Sequence, residues 1–359
     1  MKIALVHELF IKMGGAEKVV EKLAEMYPKS PLYTLVKDEK KFEPWLKQRQ
    51  VITSPLQKIF DRLNHPKWLL GKMPKAIESF DFSEFDAVIS SSSAFAHGLK
   101  TNKEVKHICY CHSPMRYAWD YTHQYTQGMS FPMQLGVARL LNEIRVWDFE
   151  SSNRPDVMIA NSQHVQKRIS KYYRRASDVI YPPVKIKDFK ATKDHDDYFL
   201  IVSALTPFKR IDLAIEAFNK LGRHLVIIGD GSQRKILESM AKDNIEFLGR
   251  RSDEEVVEYM QNCRAFIFPG EEDFGMTPVE AMAAGKPVLA YGAGGVLESV
   301  IEGETGEFFS ELTPQSLTQG LTRLLLNEEN YDHKKIRQQV EKFDEAIFEE
   351  KMRKVVKGI

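Results

Sequence analysis

The sequence predicts an α/β fold with two doubly wound domains, each a parallel sheet covered by helices. Short apolar runs alternate with amphipathic segments along the chain, as in parallel sheets with crossover helices. The alternation stops in a polar, charged stretch at residues 185–197, which predicts a linker, and then starts again. A chain of 359 residues is long enough to form two separate cores.

The first domain is expected to span residues 1–190. Apolar runs predict strands at residues 3–6, 87–90, 107–110 and 157–160, and a last strand within residues 178–184 before a Pro-Pro break. Helical periodicity predicts helices at residues 16–26, 135–149 and 165–173.

The second domain is expected to span residues 191–343. Its predicted strands are residues 199–203, 225–228, 245–248, 265–268 and 287–291, and its predicted helices are residues 212–220, 234–241, 253–261 and a segment from about residue 277. A final helix at residues 344–356 is expected to cross back, so that residues 344–359 join the first domain. Ligands bind at the carboxyl ends of parallel strands, so we expect the two domains to face a central cleft that holds the site.

The net charge of +1 conceals an asymmetry. Residues 1–190 contain 30 Lys and Arg against 20 Asp and Glu, whereas the rest contain 21 against 30. A basic first half suits an anionic partner, such as a membrane surface or a phosphorylated acceptor. The alternative is that the two halves simply attract each other.

The remaining composition is that of a soluble protein in a reducing compartment. Cys109, Cys111 and Cys263 have neither disulfide-framework nor metal-ligand spacing, and the first two share one face of a predicted strand. No signal peptide or membrane-spanning run is evident. We therefore expect a cytoplasmic protein, with peripheral contact to the inner face of the cell membrane as an option.

The run from Pro269 to Val288 carries the most chemical information. It leaves a predicted strand, passes through an acidic loop with Glu272 and Gly275, and enters a helix that contains Glu280. Backbone N–H groups at a helix start stabilise a phosphate, and nearby carboxylates accept hydrogen bonds from sugar hydroxyls. The run therefore predicts a site for a sugar attached to a diphosphate.

Other loops at the carboxyl ends of strands support this reading. Lys209 and Arg210 follow the strand at residues 199–203, where two cations can neutralise a departing diphosphate. Gly14 and Gly15 open the first helix and let the backbone approach an anion. The chain has neither G-x-G-x-x-G nor G-x-x-x-x-G-K-[ST], which argues against a nicotinamide cofactor and against a nucleoside triphosphatase.

A first-domain run, Cys111 to Asp120, also leaves a strand. His112 and Arg116 stand there among aromatic neighbours, a setting that suits the binding of a sugar.

These motifs together resemble the retaining glycosyltransferases of family 4, which have the GT-B fold of two Rossmann-like domains. The resemblance rests on Glu272 and Glu280 in an E-x7-E element, the Lys209 loop and the Gly14-Gly15 loop, and it covers nearly the full chain. The segment from His112 to Asp120 is similar to mannosyltransferases that build bacterial O-antigen and exopolysaccharide.

The resemblance implies roles residue by residue. His112, Lys209 and Glu272 are the expected catalytic residues: His112 lies by the sugar's 6-hydroxyl, Lys209 binds the diphosphate and Glu272 holds sugar hydroxyls. The loops and the resemblance together give the donor-binding residues as Gly14, Gly15, Arg210, Gly229, Arg250, Phe274, Gly275, Met276, Thr277 and Glu280. Arg116 and Tyr117 are the expected acceptor-binding residues.

The expected reaction transfers α-mannose from GDP-mannose to a glycan or lipid-linked acceptor, without a cofactor or metal. Retention would follow from front-face transfer, in which the leaving diphosphate helps to deprotonate the acceptor. Many family members carry Arg where this chain has Ala204, so Arg210 would replace that charge or the donor would bind with one cation fewer. The alternatives are a UDP-sugar-dependent transferase and a catalytically silent scaffold subunit.

Residues 57–75 are the candidate membrane contact. They combine lysines with Ile59, Phe60, Leu63 and Trp68, which suits a lipid headgroup interface, although core packing with solvated lysines is the competing interpretation. Pro66 divides the segment into two short amphipathic pieces. No nucleic-acid motif is evident, so nucleic acid is not expected as a partner.

Overall fold

The computed structural model describes residues 1–41, 44–63, 65–120 and 129–358. Contacts divide the chain into two compact units, Met1–Pro183 with Glu349–Ile359, and Val184–Phe348. The expected boundary after residue 190 thus lies inside the second unit. The reason is that Val184, Ile186 and Phe189 are buried, and the Arg337 guanidinium donates hydrogen bonds to the carbonyls of Ile186 and Phe189 at 3.1 and 2.6 Å.

In the first unit the described residues form one parallel sheet. Its strands are β1 (Ile3–Phe10), β2 (Leu32–Lys37), β3 (Val51–Thr53), β4 (Ala87–Ser92), β5 (Lys106–Cys111), β6 (Val157–Ala160) and β7 (Asp178–Val179). The strand order is β3-β2-β1-β4-β5-β6-β7. Central strands of such a sheet are covered on both faces, which explains why β1 and β4 are buried along almost their whole length.

Helices connect these strands. They are α1 (Gly15–Met26), α2 (Pro44–Lys47), α3 (Gln57–Leu63), α4 (Met73–Ile77), α5 (Arg116–Trp119), α6 (Phe131–Ser151) and α7 (Gln163–Tyr173). The apolar face of α1 is buried through Val19, Val20 and Leu23. The start of α7 is fixed by Ser162, whose hydroxyl accepts a hydrogen bond from the Val165 N–H at 3.0 Å.

The second unit, residues 184–348, contains another parallel sheet. Its strands are β8 (Phe199–Val202), β9 (Leu225–Ile228), β10 (Ile245–Gly249), β11 (Ala265–Phe268), β12 (Val288–Tyr291) and β13 (Gly306–Phe309). The order is β10-β9-β8-β11-β12-β13, again with parallel neighbours. Both units therefore have the doubly wound order of a Rossmann-like fold.

Its helices are α8 (Ile211–Leu221), α9 (Arg234–Met240), α10 (Asp253–Asn262), α11 (Met276–Ala283), α12 (Pro314–Leu326) and α13 (His333–Val340). Helix α10 starts with a capping box in which Ser252 and Glu255 satisfy each other's backbone N–H groups. The last helix, α14 (Glu345–Lys357), begins in the second unit, and its residues from 349 group with the first.

The predicted α/β class is confirmed, and most predicted strands agree with the structure within one or two residues at each end, although β1 runs on to Phe10. The sequence analysis missed the strands β2, β3 and β13 and the helices α2, α4, α5, α12 and α13. The last strand of the first unit is only Asp178–Val179, because Pro182 and Pro183 cannot donate ladder hydrogen bonds. Residues 185–197 are not a free linker, since their apolar side chains pack within the second unit.

Each sheet has one point at which the chain order reverses. It lies between β1 and β4 in the first unit and between β8 and β11 in the second. Loops that leave two such neighbouring strands run to opposite sides and open a crevice at the carboxyl ends. The loops after β1 and β4, and those after β8 and β11, are therefore the places to look for function. Among the described residues, no helix has the length and apolar character needed to cross a bilayer.

Candidate functional site

In the second unit, the loops after β8 and β11 meet through a charge pair. The Lys209 ammonium donates a hydrogen bond to the Glu272 carboxylate, and both side chains are about a quarter exposed. Gly270 allows this approach, since a Cβ there would lie 2.9 Å from the Lys209 Cα. The structure thus brings together two of the three residues expected to be catalytic, at the point where the strand order reverses.

The Glu272 loop is supported from behind by two glycines. The Gly295 N–H donates to the Glu272 carbonyl at 2.9 Å, and a Cβ on Gly294 would lie 2.3 Å from that same oxygen. No side chain fits in this space, so Gly294 and Gly295 hold the loop against the sheet. Sequence analysis did not single out this pair.

Helix α11 starts directly after this loop. Gly275 has a φ of +87°, which is costly for any other residue, and it turns the chain so that the helix begins at Met276. Phe274 is 3% exposed and packs on Phe343 with ring centroids 5.2 Å apart, so only its backbone is available to a ligand. The backbone N–H groups of Met276 and Thr277 lie in the first turn, where a helix start has a positive potential.

Glu280 and Arg210 are two further residues expected to bind the donor. Glu280, in the second turn of α11, is 9% exposed. Arg210 has a left-handed backbone with φ of +51° and forms a two-point contact with Asp212, at 3.1 Å from Nε to Oδ1 and 2.9 Å from Nη2 to Oδ2. Its charge is therefore compensated by Asp212, as the charge of Lys209 is by Glu272.

The remaining donor-side candidates differ in their surroundings. Gly229 has a φ of +135°, and a Cβ there would lie 1.9 Å from the Ser203 carbonyl oxygen, so this glycine is needed for packing of the loop after β8. Arg250 and Ala204 are both exposed.

In the first unit, helix α1 begins at the predicted glycines. Gly14 precedes the helix and Gly15 is its first residue, and both are exposed. Below them, the Glu17 carboxylate lies 3.3 Å from His7 Nε2, with both residues buried. Burial alone would lower the pKa of His7, but the hydrogen bond and charge of Glu17 outweigh it and raise that pKa. The Glu17 charge beside the glycines is thus neutralised.

Glu8 is a second buried carboxylate that the sequence analysis left without a role. It accepts hydrogen bonds from four consecutive backbone N–H groups, those of residues 93–96, at 2.7 to 3.2 Å. The Ser92 hydroxyl adds a fifth hydrogen bond at 3.0 Å. The sequence signal for this contact was the His-Glu pair within an otherwise apolar strand.

His112 follows β5 and is half-buried. Its ring Nε2 lies 2.8 Å from the Ser91 hydroxyl, and its backbone N–H donates to the Ser92 carbonyl at 2.7 Å. The Tyr110 ring stands edge-on to it, with centroids 5.2 Å apart. The predicted histidine is therefore held at the carboxyl edge of the sheet by β4 and β5.

The acceptor-side candidates, Arg116 and Tyr117, lie half-buried on the short helix α5. A helix of four residues is not stable alone, and its neighbours hold it in place. The Trp119 indole donates to the Asp148 carboxylate at 2.7 Å, and the Arg145 guanidinium donates to the Ala118 carbonyl at 2.6 and 2.8 Å.

Asp148 is the central residue of this support. It is fully buried and also accepts a hydrogen bond from the Tyr173 hydroxyl at 3.1 Å. Burial raises its pKa to about 7, although the bonds from Trp119 and Tyr173 oppose this. The neighbouring His97 cannot compensate the charge, because burial lowers the pKa of its ring to about 4.

Two family models match the chain in adjacent regions. Glycosyl transferases group 1 matches residues 184–343, and Glycosyltransferase Family 4 matches residues 13–188. The chain belongs to the family 4 glycosyltransferases. Its two Rossmann-like sheets are those of the GT-B fold.

Sequence relatives of this family 4 chain include other glycosyltransferases. A glycosyltransferase of Methanocaldococcus jannaschii, described as uncharacterized, is 32% identical over 184 residues, which are 50% of this chain and 52% of that protein. An alpha-1,3/1,6-mannosyltransferase of Dictyostelium discoideum is 24% identical over 280 residues, which are 64% of this chain and 63% of that protein. The matches thus span about half to just under two-thirds of these relatives.

The fold also matches solved structures. The Anabaena protein HepE, crystallised in complex with UDP, gives a TM-score of 0.75 at 20% identity, with 100% of both chains covered. At this identity the likeness shows the GT-B fold.

Sequence reasoning thus found the loops of the candidate site in this family 4 chain but missed the residues that hold those loops in place. The residues it missed are His7, Glu8, Glu17, Ser91, Asp148, Asp212, Gly294 and Gly295. The serine run at the end of β4 and the His-Glu pair in β1 were the available signals, since polar residues in a buried strand need partners. Among the described residues, no three His, Cys, Asp or Glu side chains are grouped so that they could hold a metal.

We expect Asp148→Asn to remove a pH dependence from the stability of the first unit. Because the pKa is raised from 3.8 to about 7, this stabilising contribution is complete below the unfolded value and is lost as pH rises towards 7. Between about pH 5 and pH 8, the free energy of unfolding should fall by about 3 kcal/mol more in the wild type than in the variant. Urea unfolding can be followed by fluorescence, since all four tryptophans lie in this unit.

Asp61→Asn, on the exposed side of α3, is the control, and its pH profile should match the wild type. If Asp148→Asn and the wild type lost the same stability over this pH range, Asp148 would be ionised throughout, and the assignment would be wrong.

Proposed function

We propose that this protein is a retaining hexosyltransferase that moves α-mannose from GDP-mannose to a glycan or lipid-linked acceptor in polysaccharide synthesis. The observation that carries the proposal is the contact between Lys209 and Glu272 beside the start of α11. A cation, a carboxylate and a helix N-terminus in one place match the three parts of a sugar diphosphate: negative oxygens, sugar hydroxyls and a leaving group whose charge grows.

In the proposed reaction the bond between the sugar C1 and the diphosphate oxygen breaks while the acceptor oxygen bonds to the same face of C1. The acceptor proton passes to the leaving diphosphate, so the configuration is retained and no protein nucleophile is needed. Glu272 is engaged with Lys209, and Glu280 is almost fully buried in α11, which supports binding roles rather than attack.

The mannose assignment is supported by two observations. The segment from His112 to Asp120 resembles bacterial mannosyltransferases, and a relative similar to this chain is an alpha-1,3/1,6-mannosyltransferase. In this proposal His112 contacts the transferred sugar, while Arg116 and Tyr117 contact the acceptor.

The donor is tested with a panel of nucleotide sugars. GDP-mannose at about a hundred times its Kd should stabilise the protein by about 3 kcal/mol, and UDP-glucose should not. Release of GDP should require an acceptor and should persist in excess EDTA, because the proposed transfer uses no metal. Turnover of UDP-glucose with no response to GDP-mannose would replace the donor by a UDP-sugar. Binding without turnover over a broad acceptor panel would favour a silent scaffold instead.

Lys209→Ala should lower kcat by about a hundredfold to a thousandfold, because a charge that stabilises the leaving diphosphate is lost. Stability should change little, since a partly exposed ion pair contributes roughly 0 to 1 kcal/mol. Lys220→Ala is the matched control, because Lys220 is an exposed lysine in the last turn of α8. The measurements are kcat with saturating donor and the melting temperature. Equal activity in the two variants would remove Lys209 from the reaction.

We propose that the acceptor is a lipid-linked molecule. We also propose that this protein is cytoplasmic and contacts the inner face of the membrane through residues 57–75. This segment divides as its sequence suggests, into α3 and the turns from Pro66 onward. Phe60, Leu69 and Met73 are buried, whereas Leu63 is 51% and Trp68 is 76% exposed.

The neighbouring helix enlarges this apolar surface. A Cβ on Gly71 would lie 3.0 Å from the Leu140 side chain, which shows that the segment lies against α6. On α6, Phe131 is 78% and Leu135 is 65% exposed. Exposed apolar side chains on two adjoining elements, one of which has several lysines in its sequence, suit an anionic lipid surface.

Trp68→Ala should weaken binding to vesicles that contain an anionic lipid by about tenfold, because an indole at the headgroup level contributes at least about 1.4 kcal/mol. Wild-type binding should decrease with salt and should be absent with neutral vesicles. Leu326→Ala, at an apolar side chain that is 82% exposed in the second unit, is the control. Sedimentation with vesicles measures both. Salt-independent binding, or equal loss in both variants, would contradict a specific contact.

A further inference from the structure

A row of buried polar side chains leads from α1 to the candidate sugar-binding histidine. Glu17 Oε1 lies 3.3 Å from His7 Nε2, His7 Nδ1 lies 3.2 Å from the Ser91 hydroxyl, and that hydroxyl lies 2.8 Å from His112 Nε2. Glu17, His7 and Ser91 are each less than 5% exposed. The row thus connects His7 within β1 and Ser91 near the end of β4 to the residue after β5.

The charge on His7 decides which atoms donate and which accept along this row of hydrogen bonds. Glu17 and Glu8 face His7, and their negative charges, with the hydrogen bond from Glu17, raise its pKa against the effect of burial. Burial would raise the pKa of Glu17, but its contact with His7 lowers it. The contacts agree with this direction, because Nε2 faces the Glu17 carboxylate and Nδ1 faces the Ser91 carbonyl, and neither oxygen can donate. Both nitrogens of His7 therefore carry a hydrogen and donate, Nε2–H to Glu17 and Nδ1–H to the Ser91 carbonyl and hydroxyl oxygens, so His7 is an imidazolium.

Because the Ser91 oxygen accepts from His7, the hydroxyl hydrogen needs an acceptor of its own. Among the described residues, the hydroxyl is in contact only with His7 and with His112 Nε2. A buried hydroxyl hydrogen without an acceptor is costly, so Ser91 donates to His112 Nε2. A neutral imidazole that accepts at Nε2 has its hydrogen on Nδ1.

We propose that Ser91, backed by the His7–Glu17 pair, is a positioning residue that fixes His112 in the Nδ1–H tautomer and in one ring orientation. The role of this tautomer in catalysis rests on the proposed function, in which His112 contacts the transferred sugar. With the tautomer fixed, Nδ1 is a hydrogen-bond donor at all times, which suits an oxygen that gains negative charge or a hydroxyl lone pair. A mixed population would place a donor there for only part of the time.

The chain contains a matched control for this arrangement. Ser90, one residue earlier on β4, has its hydroxyl 2.7 Å from His107 Nε2. Successive residues of a strand point to opposite faces, so this second Ser–His pair lies on the other side of the sheet from Ser91 and His112. Ser90→Ala and Ser91→Ala therefore remove the same kind of buried hydroxyl from the same strand.

The tautomer is measured in the full-length protein by the nitrogen chemical shifts of labelled histidine, with His112→Gln and His7→Asn used for assignment. In the wild type we expect His7 protonated on both nitrogens and His112 protonated on Nδ1 alone. Ser91→Ala should shift His112 towards the Nε2–H form that free imidazole prefers, and Ser91→Thr, which keeps the hydroxyl, should restore it. Ser90→Ala should change His107 and leave His112 unaffected.

A wild-type His112 protonated on Nε2, or an unchanged His112 signal in Ser91→Ala, would overturn the proposal without any activity assay. With GDP-mannose and an acceptor, Ser91→Ala should lower kcat by up to about a hundredfold and leave KM for the donor nearly unchanged, while Ser91→Thr keeps most of the rate. A changed tautomer with an unchanged kcat would overturn the role in the reaction. The expected spectra from a protein that turns over no donor would instead refute the proposed function and leave the positioning of His112 intact.

Discussion

The reversal of strand order at the centre of each sheet is the constraint on which the other features depend. Parallel strands need crossover helices, so every functional loop leaves from the same edge of its sheet, and the reversal leaves a gap there between neighbouring loops. In the first unit this gap lies between β1 and β4, with Gly14 in the loop after β1 and the paired residues His7 and Ser91 in the two strands. In the second unit it lies between β8 and β11 and receives Lys209 and Glu272. Residues that are far apart in sequence are thereby brought together at one edge of the sheet within each unit.

Both gaps contain buried or partly buried charges, and the structure neutralises them locally. The Glu8 carboxylate is satisfied by backbone N–H groups, Glu17 by an imidazolium, and Arg210 by Asp212. Without these contacts each charge would oppose folding, since a buried charge must be paired or hydrogen-bonded. With them, the helix starts at Gly15 and Met276 keep their positive potential for a ligand.

Much of the fold and many loops of the candidate site could be predicted from the sequence, because both depend on short-range patterns. Apolar runs bounded by turns gave β1, β4, β6 and β11, and a glycine beside two carboxylates gave the start of α11. Strand β3 was missed because it has only three residues, and β13 because a glycine and a glutamate interrupt its apolar run. Contacts such as Trp119 with Asp148, or Ser91 with His112, join elements about 20 to 30 positions apart, which no local spacing reveals.

The ion pair between Lys209 and Glu272 couples the residue proposed to bind the diphosphate to the residue proposed to bind the sugar. Each side chain is the counter-ion of the other. If a diphosphate takes over the ammonium, the carboxylate is released to accept hydrogen bonds from the sugar, so the second contact becomes available only after the first is made. Such an exchange makes the two ends of the donor bind cooperatively. A free sugar cannot break the pair, and an unsubstituted nucleotide leaves the freed carboxylate without a partner, so the protein would discriminate in favour of the intact sugar nucleotide.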